Sequence, residues 1–198
     1  MSHSTPSDPV AIPLILASSS VYRREILERI GLNFTVHASE IDESLVKDET
    51  PVQAVERLAD KKARTVGALY DKGLIIGSDQ LSEQDGRIIG KPRDHEDAVA
   101  QLRAASGSTA ILHSGIAVFN AASGRMQSDV VQVEVECREL SDEEINRYLE
   151  RDQPYNSCGS LKVESLGIAL LKSIRSDDPN AITGLPVIRL LEMLKNEG

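Results

Sequence analysis

An α/β fold, one domain with a mixed and twisted central sheet flanked by helices, is predicted by three features of the chain. Short apolar runs alternate with segments of helical period from Ile12 onward. Two long Val-rich segments, Thr109 to Asn120 and Met126 to Arg138, are joined by a turn around Ser123 and Gly124 and have the length of paired strands. The length of 198 residues, with 40% hydrophobic residues, suits one domain with a sizeable core. Residues 1–11 are expected as a disordered tail and 12–198 as the domain.

The elements follow in order. Ile12 to Ala17 is a continuous apolar run, as in a strand buried on both faces. After the Ser18, Ser19, Ser20 turn, Val21 to Ile30 places Ile26, Leu27 and Ile30 on one helical face, and Gly31 stops the helix. Phe34 to Ala38 is a second strand. An acidic loop with Glu40, Asp42 and Glu43 leads to Thr50, which caps a helix with Pro51 at its first position and Gln53 completing a capping box; this helix is expected to run to about Leu69. Leu74 to Gly77 is a buried strand ending at Ser78 and Asp79. Asp85 and Gly86 signal a hairpin between Leu81 to Gln84 and Arg87 to Gly90. Asp94 caps a helix reaching about Ala104, and Ser141 with Glu144 forms a second capping box for a helix to about Arg151. A strand near Ile168 to Leu171 and a helix from about Pro186 to Lys195 complete the chain.

Composition excludes several functions. With 31 acidic and 22 basic residues the formal charge is −9, so no global positive field exists to hold a nucleic-acid polymer or an anionic membrane. Aromatic residues make up 3%, too few for base-stacking platforms. The two cysteines, Cys137 and Cys158, form neither a disulfide framework nor a zinc site, which favours a reducing compartment. No signal peptide and no apolar run of ~18 residues is present, so a cytoplasmic location is expected. Cys158 is expected to play an ordinary packing role, and His3, His37, His95 and His113 show no ligand spacing.

Three residues break the pattern. Arg23 shares the core-facing side of Ile26, Leu27 and Ile30, and stands in the first helical turn, where free N–H groups and the helix dipole favour an anion. With the hydroxyls of Ser18 to Ser20 this unit can hold a phosphate; the plain alternative is a snorkelling arginine and a serine cap. Lys62 interrupts the stripe of Val55, Leu58, Ala59, Ala63 and Val66. Its plain alternative is a lysine stem lying over apolar surface, and Arg57, Lys61 and Arg64 are expected to form a solvated face. Asp79 puts a carboxylate at the carboxyl end of an apolar strand, where α/β sheets bind ligands. It can ligate Mg²⁺ or Mn²⁺ or take a proton from water, or simply cap a turn. Asp42 and Glu43 offer further hard oxygens. A phosphate cradle, inward cations and carboxylates together suggest metal-assisted attack on a phosphoanhydride.

Several motifs, spread in order along the chain, resemble the Maf family of nucleotide pyrophosphatases. They are Leu14 to Arg24, Ile41-Asp42-Glu43, Arg57-Leu58-Ala59 with Lys62-Ala63, Gly77-Ser78-Asp79-Gln80, Gly90-Lys91-Pro92, Ser106-Gly107 and Gly184-Leu185-Pro186. The resemblance implies hydrolysis of a nucleoside triphosphate between the α and β phosphates with a divalent cation, in a homodimer whose α/β fold has a cleft between two lobes. It implies Asp79 as proton acceptor, Glu43 and Asp42 beside Asp79 at the metal, and Ser20, Arg23, Lys62 and Lys91 at the phosphates. Val21 departs from the proline of many members.

Gly77-Ser78-Asp79-Gln80 looks like the 7-methyl-GTP subgroup, whose specificity positions match Tyr22, Gln80 and Glu164. N7 methylation leaves guanine positively charged, which suits the face of Tyr22. The Glu164 carboxylate can accept bonds from the Watson–Crick edge, and Gln80 can both donate and accept. Two other functions remain open on sequence alone: the same chemistry on dTTP, UTP or another modified nucleotide, and a non-enzymatic nucleotide sensor linked to septum formation.

Overall fold

The computed structural model describes residues 12–197, so the tail expected at 1–11 lies outside the described residues. Among the described residues, seven strands and five helices follow one another as β1 (Leu14–Leu16), α1 (Val21–Arg29), β2 (Thr35–Val36), α2 (Pro51–Gly67), β3 (Leu74–Gln84), β4 (Arg87–Ile89), α3 (His95–Ala105), β5 (Thr109–Asn120), β6 (Met126–Cys137), α4 (Asp142–Asp152), β7 (Leu171–Arg175) and α5 (Val187–Lys195). Three 3₁₀ turns, Cys158–Ser160, Leu166–Leu170 and Pro179–Thr183, fill the connections around β7. The sheet order is β2-β1-β3-β5-β6-β7, with β4 also paired to β3. β1 runs parallel to β2 and β3, and the remaining pairs are antiparallel, so the sheet is mixed as expected.

Local chemistry accounts for the helix starts. The Thr50 hydroxyl accepts from Gln53 N while Gln53 Oε1 accepts from Thr50 N, and Ser141 and Glu144 form the same reciprocal pair. On α1, Ile26 and Leu27 are buried but Ile30, the C-cap, is exposed, so the apolar face of this helix is shorter than its spacing suggested.

Two strand assignments are corrected. The polar run Ser78-Asp79-Gln80 does not end a strand. β3 continues through it to Gln84 because β5 pairs with it from Leu74↔Asn120 to Glu83↔Ile111, and that ladder outweighs the local change in polarity. The last strand is Leu171–Arg175 rather than Ile168 to Leu171, whose first residues coil into the 3₁₀ turn at Leu166–Leu170.

The core separates into distinct apolar clusters. One joins Leu16, Leu27, Ile76, Ile116 and Leu185 under α1 and α5; another packs Ala59, Ala63 and Val66 of α2 on Ile15, Ile75 and Ala117. A third unites Leu102 of α3 with Ile145 and Leu149 of α4. Between the β1 and α3 regions the sheet has a notch. β1 pairs with β3 only as far as Leu16↔Ile76, and β4 begins on the same edge at Ser82↔Ile89, because β5 occupies the other edge. Among the described residues, 77–81 of β3 therefore have no strand partner on that side.

Candidate active site

Asp79 lies in this notch, in register with Gly115 of β5. Alternation along β3 puts Gly77 and Asp79 on the face covered by α2. A Cβ at Gly77 would press on the Ala59 carbonyl and stand 2.8 Å from Ala63 N, and one at Gly115 would meet the Val55 carbonyl. These two glycines let the α2 backbone lie directly on the sheet. Lys62, buried within the α2 stripe as its spacing predicted, is thereby brought to Asp79: Nζ donates to Oδ1 at 2.6 Å. The same Nζ is 2.7 Å from Glu43 Oε1, so one ammonium holds two carboxylates, one buried and one exposed. Two of its three donors are used and one is left for another oxygen. Asp79 Oδ2 has no protein partner among the described residues.

The second cation approaches from the other face. Ser20 caps α1, its Oγ accepting from Arg23 N at 3.4 Å. The half-buried Arg23 side chain turns inward, with Nε donating to Gly184 O at 2.8 Å and Nη1 to Ser18 Oγ at 3.2 Å. Ser78, next to Asp79, donates to the same Gly184 carbonyl at 2.7 Å. Gly184 caps the Pro179–Thr183 turn at φ 88°, and a Cβ there would come within 3.3 Å of Arg23 Nη2. Burial pushes the Arg23 guanidinium's pKa down, against the pull of nearby Asp79 and Glu43. Three of its five N–H donors remain free for an anion.

Of the other expected residues, Lys91 is exposed just beyond β4, and both it and Arg23 act on the Cys158 thiol. Gln80 faces the Gly184 side, but its Nε2 is committed to Ser114 Oγ, Ala181 O and Ile182 O at 3.0 to 3.2 Å, so only Oε1 is left to read a ligand. Tyr22 stands exposed in the first turn of α1. Glu164 is exposed in the loop before Leu166–Leu170, and the neighbour whose titration it affects is Tyr148. Asp42 does not join Glu43 at Lys62. Its carboxylate accepts from Ser44 N at 2.9 Å and Ser44 Oγ at 2.6 Å, bonds that hold its carboxyl below the usual aspartate range.

Three features were not visible in the sequence: a clamp of two cations, a backbone carbonyl and a thiol. Arg57 and Lys61 are not a merely solvated face. Arg57 grips Glu49 through two bonds of 2.6 and 2.7 Å and reaches Ser44 O at 3.2 Å, while Lys61 Nζ donates to Asp42 O at 3.0 Å. Together they clamp the loop that carries Glu43 onto α2. The carbonyl of Gly184 is a backbone atom and leaves no side-chain signal, although the Gly184-Leu185-Pro186 motif marks its position. Cys158 is the third: burial raises its thiol pKa, Lys91 and Arg23 lower it and Asp79 raises it, so the thiol lies within the field of the cluster. Alkylation of Cys158 by iodoacetamide, followed by peptide mass spectrometry, is expected to keep accelerating beyond the ordinary thiol value of 9.0. A plateau near pH 8 would show that the burial effect does not dominate.

Glu43 and Asp79 fit a hard divalent cation. Both are oxygen donors that lie within 2.7 Å of the same Lys62 ammonium, and among the described residues no group of three or more His, Cys, Asp or Glu could hold a metal by itself. Such an ion, held by one or two carboxylates, takes its remaining ligands from water or phosphate. Carboxylates, a free ammonium donor and a guanidinium fork around one notch can bind a polyphosphate, withdraw charge from it and accept a proton from water.

Comparison with known proteins agrees with this chemistry. The model of the family described as Maf-like protein matches residues 13–197. A protein of Methylobacillus flagellatus named 7-methyl-GTP pyrophosphatase is 48% identical over 186 residues, 94% of this chain and 97% of that protein. Proteins of the same name from Nitrosococcus oceani and Idiomarina loihiensis are 46% and 47% identical, each aligned over 96% of both chains.

Proposed function

Because the chain belongs to the Maf-like protein family, we propose that it is a pyrophosphatase that hydrolyses 7-methyl-GTP to 7-methyl-GMP and diphosphate. The observation that carries the chemistry is the buried Lys62–Asp79 pair, shared with Glu43 and close enough to Arg23 for both carboxylates to act on its guanidinium. In the mechanism we propose, Lys62, Arg23 and Lys91 bind the triphosphate and neutralise charge that develops on it, with Ser20 and the first turn of α1 as a further anion seat. Asp79, with Oδ1 fixed by Lys62, accepts the proton of the attacking water on its free oxygen. Glu43 and Asp79 would hold Mg²⁺ or Mn²⁺, which would supply Lewis-acid polarisation of the phosphate. The commitment of Asp42 to Ser44 favours that pair over a metal site including Asp42. A homodimer in the cytoplasm belongs to the same proposal, and among the described residues no helix is long and apolar enough to cross a membrane.

The test is diphosphate release by the purified chain from a panel of 7-methyl-GTP, GTP, dTTP and UTP with Mg²⁺ or Mn²⁺. The highest kcat/KM is expected on 7-methyl-GTP. A marked preference for dTTP or UTP would reject the substrate, and no release from any triphosphate would reject the enzyme.

The clamp gives a second expected result. Arg57→Ala frees the Glu43 loop and is expected to lower kcat/KM by about 10- to 100-fold, since catalytic groups misplaced by about 1 Å lose that much. It also opens the loop to thermolysin at Leu45 and Val46, both exposed. Unchanged kinetics together with unchanged cleavage would show that the clamp does not position Glu43.

A further inference from the structure

Lys91 differs from the other two cations of the site in that its side chain is not held in place. Its ammonium is exposed and forms no ion pair among the described residues, whereas Lys62 grips two carboxylates and Arg23 a backbone carbonyl. Where Lys91 stands is therefore decided by its backbone. That backbone leaves β4, a strand of three residues paired to β3 only from Ser82↔Ile89 to Gln84↔Arg87. Next comes Gly90, where an added Cβ would meet nothing within 4 Å. A corner so thinly packed needs an anchor from outside the strand.

Two hydrogen bonds supply it. The Gly90 carbonyl accepts from Gly159 N at 3.1 Å and from Gln101 Nε2 at 3.3 Å, so both of its lone pairs are used. Gln101 belongs to α3, and its Oε1 accepts from Ser160 Oγ at 2.7 Å. One side-chain amide thus ties the Lys91 corner and the Cys158–Ser160 turn to the same helix. The turn borders the reacting groups, because the Cys158 thiol feels Lys91, Asp79 and Arg23.

The backbone of that turn points the same way. Ser160 is wholly buried and takes φ 55°, a left-handed conformation that costs a serine energy and that glycine adopts freely. Gly159, just before it, takes φ 65°. What the serine adds over a second glycine is a hydroxyl, and Gln101 receives its hydrogen bond. Strain kept for one contact is a mark of a functional segment.

We propose that Gln101 and Ser160 are positioning residues for phosphate binding, which fix the Lys91 ammonium at the triphosphate through the Gly90 carbonyl. The proposal rests on the reading of Lys91 as a phosphate ligand in a nucleoside triphosphate pyrophosphatase and adds what holds it there.

A mutant cycle tests it. Gln101→Met keeps side-chain length and helix propensity while removing both amide bonds, and Ser160→Gly relieves the left-handed backbone while removing the hydroxyl. Each is expected to lower kcat/KM for 7-methyl-GTP about tenfold and to raise the inhibition constant of inorganic tripolyphosphate by a similar factor, the scale of coupling within one hydrogen-bonded network. The thermal midpoint of Ser160→Gly should stay within ~4 °C of wild type, so that its weaker phosphate binding is not a loss of fold. Made on Lys91→Ala, the same substitutions should change both constants by less than about twofold, since the group they position is gone. The proposal is overturned if either variant keeps wild-type constants, if the losses persist at full size on Lys91→Ala, or if Lys91→Ala alone has no effect. Should Gln101→Met fail to fold, Ser160→Gly decides. If the wild-type chain releases no diphosphate from any triphosphate, the enzymatic reading falls alone. The same cycle is then read as tripolyphosphate dissociation constants by calorimetry, and the three overturning results keep their meaning.

Discussion

Asp79→Asn is expected to lower turnover of 7-methyl-GTP by about 10²- to 10⁴-fold, the range over which a positioned proton acceptor contributes. The side chain keeps its shape, and an amide oxygen can still accept from Lys62 at the 2.6 Å position, so thermal unfolding should move little. What is lost is the negative charge and the capacity to take a proton. Lys62→Ala attacks the same cluster from the other partner and is expected to cost about 10²- to 10³-fold, as removal of a preorganised charge-stabilising donor does. It also leaves Asp79 and Glu43 without the ammonium that joins them, and a buried carboxylate stripped of its cation destabilises the fold. Steady-state kinetics with diphosphate detection, paired with thermal melts, separates the two effects. Either variant within threefold of wild-type kcat would remove Asp79 or Lys62 from the mechanism.

Gly77→Ala is expected to have the largest effect on stability of any single methyl addition near the site. The new Cβ meets backbone, at Ala59 O and 2.8 Å from Ala63 N, and backbone cannot swing aside as a side chain can. Overpacking of this kind costs typically 1–3 kcal/mol, and here it lifts the helix that carries Lys62. Stability and turnover should therefore fall together, with the urea midpoint lowered and the slope of the transition unchanged. Gly115→Ala, on the neighbouring strand β5 and against the Val55 carbonyl of α2, should do the same. Gly90→Ala is the control: nothing lies within 4 Å of its added methyl, and its stability should change by less than ~0.5 kcal/mol. A Gly77→Ala protein as stable and active as wild type would mean that α2 is not held close to β3 by that glycine.

The parts of the site that could be read from sequence are those that violate a pattern. Lys62 interrupts an apolar stripe of period 3.6 and Arg23 shares a face with Ile26 and Leu27, and both turn inward. Asp79 stood out for a reason the structure revises: it is not at a strand end but beside a gap where β1 has stopped and β4 has not begun. A run of polar residues looks the same in both situations, because which neighbour is missing is a property of the sheet and not of the strand. Arg57 and Lys61 were illegible for a related reason. Exposed cations on a helix have the same spacing whether they face water or hold a loop that begins 19 residues earlier. The Ile168 to Leu171 segment was misplaced because an apolar run satisfies a 3₁₀ turn packed on Leu149 and Leu102 as well as it satisfies a strand. The capping boxes at Thr50 and Ser141 were read correctly because their chemistry is complete within four residues.

Phosphorus NMR of 7-methyl-GTP incubated with the chain and Mg²⁺ or Mn²⁺ addresses the central claim most directly. The proposed action of Asp79, Lys62, Glu43 and Arg23 on an α-β phosphoanhydride predicts 7-methyl-GMP and diphosphate appearing in equal amounts with wild type, and neither with Asp79→Asn on the same timescale. Orthophosphate with 7-methyl-GDP as the products, or undiminished cleavage by the Asp79 variant, would contradict it.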